Sequence, residues 1–366
     1  MSGFGIAGAA SKCPGLGLQS LYASCRVIHL RILVPSYESE HALDLLKGIP
    51  SVTNLVYLKD AARKPEGDVI LCDVAREDAS VVIGDLRELN IDVEGSIAIE
   101  EIDSAISVVA KRAEEAAVGM PSDAVVWEEV ESRTSENTEL SFNFVAFMVL
   151  ACLIASVGVM LDSPILIIGA MVVGPEFGPI AGLCVALVER RKDVAKRSLA
   201  ALAVGFPVGI GAALLFTLLV RAVGLAPDNF TPEVHPLTQF ISHPDTFSFI
   251  VACFAGTAGV LSLTSTKSGA LIGVLISVTT IPAAANIGVA AAFGDWDEWA
   301  GATAQLGVNL AGIFLAGILT LFLQRKLYQR RRREHLRHTA RDKAGLPMGR
   351  SKRARIEHSE HPTPSP

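Results

Sequence analysis

The sequence predicts a multi-span α-helical membrane protein preceded by a small α+β domain, and three observations lead to this fold class. The 366 residues are 50% hydrophobic and only 19% charged, whereas soluble globular domains carry about 25% charge. The mean hydropathy is +0.42, and six long apolar segments follow one another between residues 142 and 323. Ahead of them, shorter stretches alternate between strand and helix patterns. This composition excludes a disordered chain, a fibrous protein and a simple cytosolic enzyme.

Charge divides the chain into three regions. Residues 1–143 carry 12 Lys and Arg against 24 Asp and Glu, residues 144–324 carry 7 against 10, and residues 325–366 carry 13 against 4. An acidic head, a nearly uncharged middle and a basic tail need separate explanations. The predicted domains are a disordered or additional N-terminal extension at 1–27, an α+β domain at 28–101, a helical acidic linker at 102–141, a transmembrane domain at 142–324 and a basic cytoplasmic tail at 325–366.

The head has the element order βαββαβ, which is the ferredoxin-like arrangement. Alternating apolar residues predict its strands, and helical spacing of Ala42, Leu45 and Leu46 predicts the first helix. Such a domain fits a ligand sensor that gates the membrane part and fits a passive oligomerisation module equally well, because fold does not give function. The predicted strands are 29–34, 52–58, 69–74 and 91–99, the predicted helices are 38–47 and 77–89, and a linker helix is expected at 102–117.

Each apolar segment of the middle approaches the about 20 residues that one bilayer crossing needs. A bundle of buried soluble helices is the alternative, but six such segments leave too little polar surface to cover them. The segments are Phe142–Leu161, Pro164–Val188, Ser198–Val223, Phe247–Leu263, Gly269–Phe293 and Trp299–Leu323.

Lys and Arg in the connections predict the orientation. The connection at 189–197 holds five of them, and the connection after the fourth segment holds Lys267. The three connections on the other side hold none, so the positive-inside rule places both termini in the cytoplasm of a plasma (inner) membrane protein. The basic clusters after Arg325 begin at the membrane, which favours anionic lipids over nucleic acid as the partner of the tail.

The second and fifth segments occupy matching places in two halves that would run in opposite directions. Each contains a Gly/Pro interruption, at 174–179 and at 279–286. Proline removes a backbone donor, so two prolines four residues apart cannot share one undisturbed helix. Paired interruptions of this kind predict an inverted repeat with a central transport site. The alternative is that the prolines only kink the helices for packing.

Glu176 is the acidic residue that lies well inside one of the six segments. A carboxylate at that depth is costly and points to a proton relay or a cation site, or else to a re-entrant loop at an aqueous vestibule. Asn286, Gln305 and Asn309 can hydrogen-bond between helices. The residues predicted along a solute or ion pathway are Glu176, Gly174, Pro175, Gly178, Pro179, Pro282, Asn286 and Asn309.

Several short motifs follow one another through the membrane part. They are Ser-Glu-Asn-Thr-Glu at 135–139, Asp-Ser-Pro at 162–164, Ile-Gly-Ala-Met-Val-Val-Gly-Pro at 168–175, Phe-Gly-Pro at 177–179, Pro282 and Gly-Asp-Trp at 294–296. Together they resemble the uncharacterised prokaryotic integral-membrane family called domain of unknown function 389, over roughly residues 28–328. The resemblance implies a soluble domain before several membrane helices, and it implies an apolar residue at position 176 in place of glutamate.

The function expected from the sequence is a transporter or channel-like protein for a small solute or ion, with a regulatory cytoplasmic domain. The alternative is a non-transporting membrane sensor or scaffold whose soluble domain binds a ligand or partner. An enzyme is not expected, because no catalytic pair is visible, and neither a cofactor nor a metal is expected, because the six cysteines form no CxxC pair. The expected partners are the lipid bilayer, anionic lipids at the tail, a second copy in a homo-oligomer and an unknown solute or ion, with no nucleic acid.

Overall fold

The computed structural model describes residues 25–105, 107–117, 125–226, 241–264 and 280–349. These residues form two compact units. The first contains 25–117 together with 336–349, and the second contains 125–335.

The first unit is built on a four-stranded antiparallel sheet in the order β2-β3-β1-β4. The central strand β1 pairs with β3 on one side and β4 on the other, so that Leu30 lies opposite Cys72 and Ile99. The strands are β1 (Cys25–Val34), β2 (Val52–Arg63), β3 (Glu66–Ala75) and β4 (Ser96–Ala105), and the helices are α1 (Ser39–Lys47), α2 (Arg76–Glu88), α3 (Ile91–Glu94) and α4 (Val108–Ala116).

The core of this unit follows from the alternation of apolar residues in β1. Leu30 and Ile32 are fully buried, whereas Arg31 between them is exposed. Leu45 of α1 and Leu86 of α2 are buried too, as the helical spacing in the sequence requires. The four strands and two long helices predicted from the sequence are therefore present in the predicted order.

Two boundaries differ from those predicted. The strand expected at 91–99 begins with the helical turn α3, and β4 runs from Ser96 to Ala105 instead. Asn90 precedes this turn with φ 59, a left-handed conformation that redirects the chain before a strand can start. The predicted linker helix consequently begins only at Val108, where the Ser107 hydroxyl accepts the Ala110 N–H at 3.2 Å and caps α4.

The end of the chain also packs into the first unit. Leu336, Ala340 and Leu346 are buried, and the short helix α13 (Thr339–Lys343) lies against α1. A Cβ added at Gly48 would lie 2.5 Å from the Ala340 Cβ, so this contact is close. Part of the predicted basic tail is thus an element of the α+β unit.

The regular elements that the structure describes in the second unit are all helices. Four of its helices are long and apolar enough to cross a membrane, and α7 with α8 makes a fifth candidate if the pair counts as one span bent by 52°. The four long helices are α6, α9, α10 and α12. The helices of the unit are α5 (Trp127–Asn137), α6 (Phe142–Met160), α7 (Pro164–Val173), α8 (Phe177–Glu189), α9 (Lys192–Ala222), α10 (Thr246–Thr264), α11 (Thr280–Phe293) and α12 (Trp296–His335).

Five of the six predicted segments thus correspond to candidate spans. The predicted fifth segment began at Gly269, but residues 269–279 lie outside the described residues. Its described part, α11, has 14 residues and is too short to cross a bilayer alone. Crossing by the fifth segment therefore remains a prediction.

Neighbouring long helices run in the same direction. On α9, Gly205 meets Phe144 of α6, and four residues later Gly209 meets Cys152. The same holds for α10 and α12, where three successive contacts advance together along both helices. These contacts are Ala252 with Gly312, Gly256 with Ile313, and Thr264 with Gln324, whose Nε2 donates to Oγ1 at 3.0 Å.

Helix α11 occupies the centre of this arrangement. It packs against α6, α7, α9 and α12. Small side chains such as Ala283, Ala284 and Ala285 are fully buried and let its neighbours approach closely. Side chains on α11 consequently face protein on nearly every side.

Candidate functional site

The candidate site begins at the break between α7 and α8. Helix α7 ends at Val173 and α8 begins at Phe177, so both prolines of the Gly-Pro-Glu-Phe-Gly-Pro motif are accommodated. Pro175 lies in the break, and Pro179 is the third residue of α8, where an amide has no intrahelical acceptor. The structure therefore has the interruption that the two prolines predict.

Glu176 is the last residue of this break and is only 4% exposed. The Thr280 hydroxyl of α11 donates to its Oε1 at 2.7 Å. Its Oε2 has no hydrogen-bond partner among the described residues. The carboxylate thus retains unused acceptor capacity inside an apolar bundle, where a buried charge is costly.

Gly174 makes room for this arrangement. A Cβ at this position would overlap Oε2 of Glu176 and would lie 2.7 Å from Cγ1 of Ile281. Glycine therefore allows the carboxylate and the first turn of α11 to close on the break. Pro282 is the third residue of α11, and the helix continues through it from Thr280 to Phe293, so the interruption predicted at 279–286 is not present at 280–286.

Asn286 belongs to a second polar cluster, two turns further along α11. It lies six residues after Thr280, about 9 Å along the helix axis. Its Nδ2 donates to Ser242 Oγ and to Glu298 Oε2, both at 3.4 Å, while its Oδ1 has no partner among the described residues. All three side chains are more than nine-tenths buried.

The remaining predicted residues take other places. Asn309 accepts a hydrogen bond from Gln305 Nε2 at 3.2 Å within α12, and both residues are buried. Gly178 lies in the first turn of α8 beside Pro179, which is buried. The structure therefore brings Gly174, Glu176 and the turn that contains Pro282 together, and places Asn286 and Asn309 in different hydrogen bonds.

Sequence reasoning missed four residues of these clusters and their surroundings. Thr280 lies within the interruption predicted at 279–286 but was not among the predicted pathway residues. Ser242 and Glu298 carry no motif, and Glu298 lies just ahead of a predicted segment. Arg221 had a visible signal, because it is a charge inside the third apolar segment. Its guanidinium donates to the Ala292 carbonyl near the end of α11 and lies 4.7 Å from the Phe293 ring, so it stabilises that helix terminus.

Comparison with known proteins assigns this helical region to a family. The stretch from Met171 to Leu315 matches the family described as a domain of unknown function, DUF389. Residues 171–315 form a DUF389 domain. The resemblance found in the sequence motifs over roughly 28–328 is thereby confirmed for residues 171–315, a stretch that contains Glu176, Thr280, Asn286 and Glu298.

One relative matches about half of the chain. The uncharacterized protein MJ0678 of Methanocaldococcus jannaschii is 25% identical over 202 residues, which cover 54% of this chain and 59% of that protein. The match therefore spans less than two thirds of the relative's length. No solved structure matches the chain.

Proposed function

We propose that this multi-pass membrane protein moves a small solute or ion across the bilayer through a path at the α7–α8 break. The observation that carries the proposal is the buried Glu176 carboxylate, with one oxygen bonded to Thr280 and the other without a partner among the described residues. A packing kink explains Pro175 and Pro179, but it gives no reason for a charge with unused acceptor capacity. Intramembrane carboxylates at broken helices mark ion pathways in transporters.

Six crossings fit the helix directions better than four or five. Because α6 and α9 run in parallel, the chain from 161 to 191 has to return across the bilayer, and this stretch is the bent pair α7–α8. Because α10 and α12 run in parallel, the same argument requires a return between Thr264 and Trp296, and α11 is the described part of that stretch. Each half then has two parallel helices and a return segment between them, which supports the predicted inverted repeat.

An even number of crossings leaves both ends of the helical unit on one side of the membrane. This agrees with the packing of residues 336–349 into the α+β unit, and the Lys and Arg of 189–197 favour the cytoplasm as that side. The βαββαβ element order and the strand order β2-β3-β1-β4 support a ferredoxin-like assignment for this unit. We propose no enzymatic step, because movement past a carboxylate requires no covalent chemistry.

The test is flux through the purified full-length protein in sealed liposomes, screened with alkali cations, protons, anions and small organic solutes. Glu176→Gln keeps the shape of the side chain but removes its charge, and we expect flux to fall by about tenfold or more, since 1.4 kcal/mol is already a factor of ten. Asp193→Asn, an exposed residue in the first turn of α9, is the matched control and should leave flux unchanged. Absence of wild-type flux for every class would contradict the proposal.

A matched pair at Thr280 tests the hydrogen bond itself. Thr280→Val keeps the shape but removes the donor to Glu176, and a hydrogen bond to a charged group contributes about 1.5–3 kcal/mol. Flux should therefore change in Thr280→Val by about tenfold or more, whereas Thr280→Ser keeps the hydroxyl and should resemble the wild type. Equal flux in both variants would remove this bond from the mechanism.

A membrane sensor or scaffold is the second candidate, and the packed tail favours it. The α+β unit includes residues on both sides of the helical unit in sequence, so a ligand bound there could act on the membrane part through both connections. Thermal-shift screening of the full chain with cytoplasmic metabolites tests this candidate. A ligand-dependent shift in a protein without measurable flux would favour the sensor.

A further inference from the structure

Helix capping does not explain why Glu298 is buried beside Ser242 and Asn286. Acidic residues are common in the first turn of a helix, and Asp295 has that role here, because its Oδ1 accepts the Glu298 N–H at 3.0 Å. Glu298 is 8% exposed, and its carboxylate points to Asn286 rather than to the backbone of α12. Within the described part of the chain, neither Glu298 nor Glu176 forms an ion pair with Lys or Arg.

The hydrogen bonds inside this cluster are long. Both contacts of Asn286 Nδ2 are 3.4 Å long, beyond the usual 2.9–3.0 Å of an N–H···O bond. The Asn286 Oδ1 is buried and has no partner among the described residues. The unpartnered amide oxygen of Asn286 therefore belongs to a side chain that also contacts a carboxylate oxygen and a hydroxyl oxygen.

We propose that Ser242, Asn286 and Glu298 bind one alkali-metal cation, Na⁺ or K⁺. This inference rests on the proposed transport function and names a cation as the transported class. Oxygen ligands suit hard cations, and one carboxylate balances a single positive charge, whereas Ca²⁺ sites usually gather several carboxylates. The free Oδ1 of Asn286 supplies a neutral ligand once the amide turns toward the ion.

Gly301 positions the hydroxyl ligand. A Cβ at Gly301 would overlap the backbone carbonyl of Ser242, so glycine lets the segment at 241–242 lie against α12. Ile241 is fully buried and belongs to an apolar cluster with Ala283 and Val289 of α11. The site is thus assembled from three parts of the chain that meet only in the folded protein.

Two tryptophans flank Glu298 of this cation site in α12. Trp296 and Trp299 are 66% and 37% exposed, as expected for indoles at the boundary between membrane and water. Along α11, Asn286 lies about 9 Å from Thr280. Glu176 contacts α11 at Thr280 and Glu298 contacts it at Asn286, so two carboxylates from neighbouring elements provide successive stops for a cation along this helix.

The experiment measures equilibrium binding of radioactive Na⁺ to the purified full-length protein, with K⁺ as competitor. Melting temperatures in NaCl, KCl and N-methylglucamine chloride of equal ionic strength give a second measurement. We expect saturable binding, and a melting temperature about 2–4 °C higher at cation concentrations near ten times Kd. Glu298→Gln should abolish both effects, whereas Asp297→Asn, the exposed neighbour, should keep them.

Gly301→Ala provides a variant that retains all three ligands but displaces Ser242, and we expect at least a severalfold weaker affinity. If Glu298→Gln does not fold, binding to the wild type still decides. No saturable binding of Na⁺ or K⁺, or a melting temperature that responds to pH and to neither cation, overturns the site regardless of flux. If the wild type binds the cation saturably, Glu298→Gln does not, and the wild type shows no flux, the cation site is supported and the transport proposal is contradicted.

Discussion

Two buried carboxylates, Asp68 and Glu176, are satisfied to different extents. Asp68, in β3, accepts hydrogen bonds from the Ser39 hydroxyl at 2.5 Å, the Tyr57 hydroxyl at 2.8 Å and the Asp60 N–H at 2.8 Å. Glu176 accepts one side-chain hydrogen bond, from Thr280. Asp68 therefore has a structural role, because three donors bind its two oxygens. Glu176 differs, because its Oε2 has no partner among the described residues, and it lies on the path that we propose.

Asp68→Asn should destabilise the α+β unit. Burial raises the pKa of Asp68, but the hydrogen bonds from Asp60, Ser39 and Tyr57 outweigh it and hold that pKa below its usual value. The stabilisation is therefore fully present above the unfolded pKa of about 3.9 and is lost as the pH falls through the lower folded pKa.

We expect Asp68→Asn to lower the free energy of unfolding by about 1.5–3 kcal/mol at pH 7, because one amide nitrogen then faces a donor. Thermal unfolding of the full chain, followed by circular dichroism between pH 3 and 7, checks this. The difference between variant and wild type should shrink below about pH 4. Asp60→Asn is the control, because only its backbone N–H contacts Asp68. A difference that is independent of pH would contradict the assignment.

At the residue scale, the sequence could predict Glu176 but not its partner. A single carboxylate in an apolar segment is visible without any structure. Thr280 is 104 positions away, and a threonine in a membrane helix is ordinary, so only tertiary packing identifies it as the donor. The same holds for Ser242, Asn286 and Glu298, which three separate parts of the chain bring together.

At the scale of elements, the most consequential feature is the docking of the tail into the α+β unit. Arg341 of α13 is fully buried between Asp85 and Glu88 of α2, and its Nη2 lies 2.7 Å from Glu88 Oε2. Asp85 and Arg341 are 256 positions apart, so the sequence showed a basic tail but not where this arginine lies. Arg341 consequently takes no part in the predicted contact of the tail with anionic lipids.

Arg341→Ala should destabilise the α+β unit strongly. Removing one partner of a buried ion pair leaves uncompensated charges on Asp85 and Glu88, at a cost of about 3–5 kcal/mol. Arg337→Ala, an exposed residue four positions earlier, is the matched control and should cost less than about 0.5 kcal/mol. Limited proteolysis of the full chain should release residues after 335 faster in Arg341→Ala than in the control. Equal cleavage rates would show that the tail is held by its apolar residues alone.

At the scale of the whole molecule, the charge pattern and the helix directions now have a common explanation. Residues 25–117 of the acidic head and residues 336–349 of the basic tail belong to one folded unit, and the pairs of Arg341 with Asp85 and Glu88 lie where they meet. The break between α7 and α8 and five of the apolar segments could be predicted from composition and proline spacing, whereas the interruption predicted at 279–286 is helical from Thr280 onward. The parallel packing of α6 with α9 and of α10 with α12 could not, because small residues permit close helix contact in either direction.

The number of crossings has a direct test, because the two even-numbered possibilities place the same residues on opposite sides. With six crossings, Asp193 lies on the side of the α+β unit and Asp245 on the other side. With four crossings, in which α7–α8 and α11 fail to cross, the two positions exchange sides. Asp297 lies opposite the α+β unit in both cases and serves as the reference.

We therefore expect cysteines introduced singly at these positions, in a variant without the six native cysteines, to react differently with a membrane-impermeant maleimide added to intact cells. Asp245→Cys and Asp297→Cys should be labelled from outside, whereas Asp193→Cys and Met348→Cys should react only after permeabilisation. Labelling of Asp193→Cys but not Asp245→Cys in intact cells would establish four crossings and contradict the inverted repeat. The six-crossing result would place α11 and the α7–α8 break in corresponding return segments, with Glu176 and Thr280 joining them inside the bundle.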